Sequence, residues 1–455
     1  MRANNIKRLR WCLLLLTLPF FASSCSNDDD EVTPDNDYCY IKSVVLGTVK
    51  RKTSTLNTSF TGSYYEMTIN LRDNTIENRD SLPYGSILDR VVATITFDGS
   101  TLLYREKGTN ADWITYNSTD SLDLTKPLEL LLLSNDNSSS RTYTFKVNVH
   151  KQDGDSFNWS KCESNVPQLA EMTDMKAFVK NDKLMVLGQK AATIVLAERT
   201  LAGTQGTWQE TTTTGLPATT DLQTLRQQAG TLYLSTTSGE IFSSTDAKDW
   251  QQVGTTLSAG LTLIEKTENF FYAISEGKIL RSVDAMTWEE ERLDTEASML
   301  PSTGIRVLSV VQANGNNRII LVGQREGSNN AVVWNKMWND SEPEADALWI
   351  YFPITPDNTI PCPRLNHLNL LPYESNCFAF GGASLDNKHK ALDIIYISQD
   401  YGITWRPSNV INIPSELNGT EGCITSTVDN NHFIWIITNE QIWRGRLNRL
   451  GFAQQ

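Results

Sequence analysis

The 455-residue chain, 40% hydrophobic, exceeds what one ordinary core organises, so two or more domains are expected. With 53 acidic against 40 basic side chains its formal net charge is −13, and no stripe of Lys and Arg interrupts the acidity, which argues against a nucleic-acid partner because neutralising phosphates needs clustered cations. Seven cysteines without a CxxC pair, and four histidines (His150, His367, His389, His432) of which none lies at ligand spacing from another, argue against a zinc or redox motif.

In chain order, Arg2, Lys7, Arg8 and Arg10 precede an apolar run from Trp11 to Ala22, too short for a mature membrane span and patterned as an export signal over residues 1–24. Small residues then lead into a cysteine, Ala22-Ser23-Ser24-Cys25. The segment resembles the lipobox of bacterial lipoproteins and predicts lipidation on Cys25. Ala22 stands where Leu is usual, which keeps a plain secretory cleavage open. Ser26-Asn27-Asp28-Asp29-Asp30-Glu31, within an acidic linker over 25–37, resembles an acidic signal for surface display in diderm bacteria; a solvated linker is the other reading, since like charges repel and extend. Membrane contact is therefore expected through an N-terminal lipid at the outer membrane. Of the remaining cysteines, Cys39, Cys162, Cys362, Cys377 and Cys423, an odd set, buried free thiols are expected, with one disulfide as the alternative.

Residues 38–152 read as short strands separated by Gly, Asn and Ser turns. Thr142–His150 alternates Tyr143, Phe145, Val147 and Val149 with polar residues, which buries one face. Further strands are expected over Tyr40–Val49, Val91–Phe97 and Leu128–Leu133, and about seven strands in ~110 residues suit an immunoglobulin-like sandwich.

From 153 to 455 one unit recurs. Leu184–Leu187, Leu232–Leu234, Phe271–Ile274, Ile319–Val322, Phe378–Phe380 and Phe433–Ile436 mark equivalent strands about 40 to 60 residues apart, the period of propeller blades. Gly239-Glu240-Ile241-Phe242 matches Gly277-Lys278-Ile279-Leu280 at an offset of 38, and Trp250 matches Trp288 at the same offset. Trp159, Trp208, Trp250, Trp288, Trp349 and Trp405 each open an outer strand on this reading. The chain ends soon after Gln441-Ile442-Trp443-Arg444, so Phe157-Asn158-Trp159-Ser160 is expected to supply the missing outer strand of the last blade. The fold class is all-β, a sandwich followed by a six-bladed propeller, with seven blades as the competitor.

The turns before these tryptophans carry Ser244-x-Asp246, Ser282-x-Asp284 and Ser398-x-Asp400-x-Gly402-x-Thr404-Trp405. They resemble the Asp-box of BNR-repeat propellers, and by that resemblance Asp246, Trp250, Asp284, Trp288, Ser398, Asp400 and Trp405 are structural. The copies ending at Trp250 and Trp288 are one residue shorter and lack the Gly. Taken whole, the chain is similar to a family of uncharacterised surface lipoproteins with an N-terminal immunoglobulin-like domain and a C-terminal propeller. That resemblance implies architecture and location, not an activity.

No catalytic signature stands out: a Gly-x-Ser-x-Gly elbow, His-Glu-x-x-His, a phosphate loop, a dinucleotide fingerprint and the sialidase Arg-Ile-Pro are all missing from the sequence. No catalytic residue, metal ligand or cofactor is assigned. Paired carboxylates of a glycosidase leave no linear pattern and stay open. Glu289-Glu290-Glu291 reads as a solvated turn. A ligand is expected opposite the Asp-box turns, on long loops carrying Arg325, Tyr351, Arg364, Lys388 and His389. The function expected is a surface binding or scaffold protein for a glycan or extracellular polypeptide; the alternatives are a glycan-active hydrolase with carboxylates in the funnel, and an accessory subunit of an outer-membrane complex.

Overall fold

A computed structural model describes residues 38–451 except 54–55, 255–259, 313, 329, 354 and 356–359. The signal, Cys25 and the acidic linker lie outside the described residues. Contacts divide the chain into two units, one made mainly of residues up to Asn148 and one mainly of Val149–Gln455.

The first unit contains a three-stranded sheet, in which Val91–Asp98 lies between Tyr40–Leu46 and Ser121–Leu122, and a six-stranded sheet built around Leu128–Leu133 and Ser140–Lys146. Alternation dictates what each face buries: Val91, Ala93 and Ile95 from one sheet, Leu128, Leu130, Leu132, Tyr143 and Phe145 from the other. The Tyr143 hydroxyl accepts from the Ile41 amide at 3.3 Å, which ties the two sheets together. The strand expected to reach His150 ends at Lys146. Asn78 takes over there: its Oδ1 accepts from the Asn148 amide at 2.6 Å and its Nδ2 donates to the Asn148 carbonyl at 2.9 Å, so a buried side chain replaces the ladder.

In the second unit, five four-stranded antiparallel sheets follow one another as simple meanders, with first strands Asp174–Lys180, Thr220–Gln228, Thr262–Lys266, Thr303–Val311 and Asn369–Tyr373. A sixth combines Ile424–Val428, Ile434–Thr438 and Gln441–Leu447 with Phe157–Ser164 from the other end of the sequence, where Trp159 pairs with Gly445 and Lys161 with Trp443. Neighbouring first strands touch, and Ile424–Val428 touches Asp174–Lys180, so these sheets form a closed ring around an axis.

Strand alternation makes that ring stable. In Lys183–Lys190, Leu184 and Val186 enter the core shared with the sixth sheet, while Met185 and Leu187 enter the core shared with the second. Each pair of adjacent sheets has its own apolar cluster of this kind. A large aromatic fills most of them: Trp208 and Trp435 between the sixth and first sheets, Trp250 in the next, Trp334 with Trp349 between third and fourth, Trp405 between fourth and fifth. Burying one such ring removes roughly 150–250 Å² from water.

The Ser-x-Asp turns explain how Trp250 and Trp405 are delivered. Asp246 Oδ1 accepts from the Lys248 and Asp249 amides at 2.8 and 3.0 Å, Ser244 Oγ accepts from the Ala247 amide at 2.9 Å, and Trp250 Nε1 donates to the Ala247 carbonyl at 3.1 Å. Asp284 takes the Met286 and Thr287 amides in the same way. At Asp400 the loop holds one more residue, and two adjacent residues, Tyr401 (φ 59°) and Gly402 (φ 92°), turn left-handed where Ala247 (φ 66°) does so alone in the shorter copy. Trp405 Nε1 still reaches its turn carbonyl, that of Gly402, at 2.9 Å.

The expectation of a solvated Glu289–Glu291 run fails at its last member. Glu289 and Glu290 are exposed, but Glu291 is buried and its Oε2 meets Lys336 Nζ at 2.7 Å and Trp349 Nε1 at 3.1 Å. The two-residue strand Glu289–Glu290 turns the third carboxylate inward against the next sheet, where Lys336 needs a partner.

Candidate functional site

Each four-stranded meander puts its first-to-second and third-to-fourth turns on one face of the ring, and its second-to-third turn and the link to the next sheet on the other. The Ser-x-Asp turns lie on the former, the expected ligand loops on the latter.

Of those loop residues, Arg325 lines a cavity of about 580 Å³ with Gly260, Ser275, Leu300 and Pro301, and its Nε is buried without a hydrogen bond. Arg364 braces the neighbouring loops, donating from Nη1 to the Ser328 carbonyl at 2.6 Å while its own carbonyl accepts from the Leu385 amide. Lys388 pairs with Asp386 at 3.0 Å on the exposed surface. His389 Nδ1 lies 3.5 Å from Asp393, and its amide and carbonyl are bound to Ser384. Tyr351 stands on the outermost strand Trp349–Phe352 and packs its ring on Trp334, centroids 5.1 Å apart. Four of the five thus have a local structural partner; Arg325 lines a cavity, and its Nε, like that of Arg364, is buried without a hydrogen bond among the described residues.

A second concentration of charge lies on the ring axis. Three successive first strands carry a bulge, between Asp221 and Arg226, between Leu263 and Glu265, and between Thr303 and Arg306. A bulge sharpens twist and re-aims the side chain after it. Arg226 and Glu265 thereby line, with Lys176, Ser309, Trp338 and Arg318, a cavity of about 480 Å³. Since Lys266–Asn269 and Val311 also border it, this cavity opens on the face of the first-to-second turns, the Ser-x-Asp face and not the face expected from loop length.

The charges there are held by neutral groups. The Arg226 guanidinium donates through Nε to the Ile264 carbonyl and through Nη1 to those of Gln223 and Leu225 at 3.1 and 2.8 Å. Arg306 donates through Nε to the Leu368 carbonyl and through Nη1 to that of Ile305, both at 2.8 Å. Glu265 accepts from the Lys266 amide and the Ser309 hydroxyl, Asp174 from Gln223 Nε2 at 2.8 Å and the Met175 amide at 2.9 Å, and Asp221 from the Gln223 amide. No ion pair joins these cations to these carboxylates among the described residues, and the Nη2 of both arginines is uncommitted.

Lys176 is the extreme case. Its backbone belongs to the ladder opposite Leu187, but its side chain makes neither hydrogen bond nor ion pair among the described residues. Its side chain keeps some accessible surface within the channel while protein surrounds it. Burial, reinforced by repulsion from Arg226 and Arg306 and only partly offset by Asp174 and Asp221, brings its ammonium down to about 7. Burial also lowers Arg226 and Arg306 and raises Asp174, the latter against its hydrogen bonds from Gln223 and Met175.

The loop-based expectation missed Lys176, Arg226, Glu265 and Arg306. Charged residues inside apolar first strands, as in Asp174-Met175-Lys176, were the available signal. Among the described residues no group of three or more His, Cys, Asp and Glu is placed to hold a metal, and no helix is long and apolar enough to cross a membrane.

The chain is loosely similar to several solved propellers: YCF48 bound to D1 peptide (13% identity, 66% of this chain and 98% of that one, TM-score 0.34), a Penicillium chrysogenum alpha-L-arabinanase complexed with arabinobiose (13%, 64% and 97%, 0.38), and the GH93 alpha-L-arabinofuranosidase of Fusarium graminearum with arabinobiose (11%, 64% and 98%, 0.40). No curated protein matches it. Residues 44–147 match the N-terminal domain of unknown function of DUF6242 and residues 153–455 match the DUF6242 beta propeller domain, so the chain belongs to the DUF6242 family.

Proposed function

We propose that the chain is a lipid-anchored binding protein of the bacterial outer-membrane surface. A lipid on Cys25 tethers it, an immunoglobulin-like sandwich serves as spacer, and a six-bladed Asp-box propeller of BNR type receives a glycan or extracellular polypeptide in its axial channel. The observation that carries this reading is Lys176, a partly buried cation enclosed by protein and without a counter-ion among the described residues, beside Arg226 and Arg306, whose partners are carbonyls. Buried charges are ordinarily paired because desolvation costs several kcal/mol per ion. A set left unpaired on a concave surface is most economically explained by a ligand that completes it. The test is binding of lipid-free protein (residues 26–455) to arrays of glycans and peptides. A ligand lost on Lys176→Met and retained on Lys388→Ala supports the channel; the reverse pattern returns the site to the loops.

A second reading, a glycan hydrolase, is favoured by one observation: burial raises the Asp174 carboxyl while Asp221 lies close enough to add to the rise, the environment of a general acid. Turnover of aryl glycosides abolished by Asp174→Asn would establish it, and a flat assay across glycoside classes would remove it.

A further inference from the structure

The chemistry of the axial cavity narrows the ligand class, on the premise that the channel is a binding site as proposed above. At its inner end stand the Lys176 ammonium and the Arg226 guanidinium, the first without any partner and the second with Nη2 free. Arg306, whose charge is felt at Lys176, adds positive potential behind them. One anionic group placed here would relieve the mutual repulsion and satisfy donors that water serves poorly in a confined channel. The anion cannot be strongly charged, because Glu265 lines the same cavity and Asp174 and Asp221 act on Lys176 from beside it. A dianion would meet these carboxylates at short range, whereas a monoanionic carboxylate matches the guanidinium fork and leaves the rest tolerable.

The remaining lining supplies hydrogen-bonding groups suited to hydroxyls: the Glu265 carboxylate, the Ser309 oxygen and the Gln228 amide. Trp338 lines the cavity too and offers an aromatic surface to a ring's C–H face. A cavity of about 480 Å³ holds a ligand of one or two sugar rings. We propose that the axial cavity binds a sugar acid, with its carboxylate between Lys176 Nζ and Arg226 Nη2 and its hydroxyls on Glu265 and Ser309.

Titration calorimetry of lipid-free protein (residues 26–455) with sodium glucuronate, sodium galacturonate, glucose and sodium phosphate tests this. At least one uronate is expected to bind at least about tenfold more tightly than glucose and phosphate, and Lys176→Met is expected to weaken it at least about tenfold, the scale of one charged hydrogen bond. Lys176 makes no structural bond, so the variant is expected to fold; a pH series on the unaltered protein gives an independent readout. The charged groups facing Lys176 are Asp174 on its own strand, Asp221 and Arg226 on Thr220–Gln228, and Arg306 on Thr303–Val311, while Ile424–Val428 carries no titratable side chain. Uronate affinity should therefore fall between pH 6 and pH 9 as the ammonium loses its proton. Equal affinity for glucose, or for phosphate, or an affinity indifferent to both Lys176→Met and pH, would overturn the proposal. So would silence towards both uronates; if arrays then still yield a neutral ligand lost on Lys176→Met, the channel remains a binding site and only the sugar-acid assignment falls.

Discussion

Trp159 lies on the backbone of Gly445: the two residues are paired across the sixth sheet, and a Cβ on Gly445 would come within 2.6 Å of the Trp159 ring and 2.4 Å of the Phe157 ring. This contact closes the ring by joining a strand near its start to the strand near its end, which also removes two sheet edges. Gly445→Val should wedge the seam open. We expect a loss of about 1–3 kcal/mol or more from overpacking, read as a lower urea midpoint, with protease cleavage appearing first near Asp153–Ser156. Unchanged stability would mean that the seam is not a closing element.

Glu291 and Lys336 form a buried pair at 2.7 Å, with side chains 2% and 0% exposed. Burial pulls the Lys336 ammonium down, and the bond to Glu291 opposes that shift. Glu291→Gln strands the cation between two sheets, and we expect about 3–5 kcal/mol of destabilisation. The double change Glu291→Gln with Lys336→Met should recover most of it in a double-mutant cycle.

Lys176 makes stability depend on pH in an unusual direction. Its folded pKa, about 7, is below its ordinary value, so between about pH 7 and pH 10.5 the unfolded chain binds the extra proton and this residue's contribution to stability rises with pH. Lys176→Met should therefore raise the thermal midpoint most at pH 6, less at pH 9, and hardly at all near pH 10.5. Equal gains at pH 6 and pH 10 would show that the ammonium is not desolvated in the folded protein.

At the Ser-x-Asp turns stability also rises with pH, but in an acid window and because the charge is stabilised by its donors. The Thr287 and Met286 amides hold Asp284 below the usual carboxylate range, and at Asp246 burial works against a similar set of donors that outweighs it. Their contribution is present above the unfolded value near pH 4 and is lost as pH falls through the lower folded value. Asp400→Ala removes acceptors for the Thr404 amide and hydroxyl and should cost about 1–3 kcal/mol in chemical denaturation at pH 7.

The thiols provide a labelling test. Cys162, Cys362, Cys377 and Cys423 are buried and unpaired, with burial pushing Cys377 up to about 12 and Cys423 up to about 11. Iodoacetamide at pH 8 should modify Cys39 alone in folded lipid-free protein (residues 26–455), and all five in urea.

What was legible before any coordinates were local features. The recurring apolar runs at Leu184–Leu187 and its five counterparts mark a second strand in each sheet, the Ser-x-Asp turns announce the Trp that follows, and the unpaired strand around Trp159 matches the missing edge beside Trp443. These signals survive in one dimension because a strand's period and a turn's hydrogen bonds span only a few residues. Glu291 was misread for the complementary reason: its neighbours Glu289 and Glu290 are solvated, and its partner Lys336 is 45 residues away in another sheet.

The sequence by itself determined that this protein is a chain of repeated β units whose linear pattern carries no recognisable catalytic motif. Only the tertiary structure decided where its charges meet, because four first strands far apart in the chain bring charged side chains to the axis. Lys176, Arg226, Glu265 and Arg306 lie 39 to 50 residues apart along the chain, and bulges whose presence depends on pairing with the next strand set the aim of the last three.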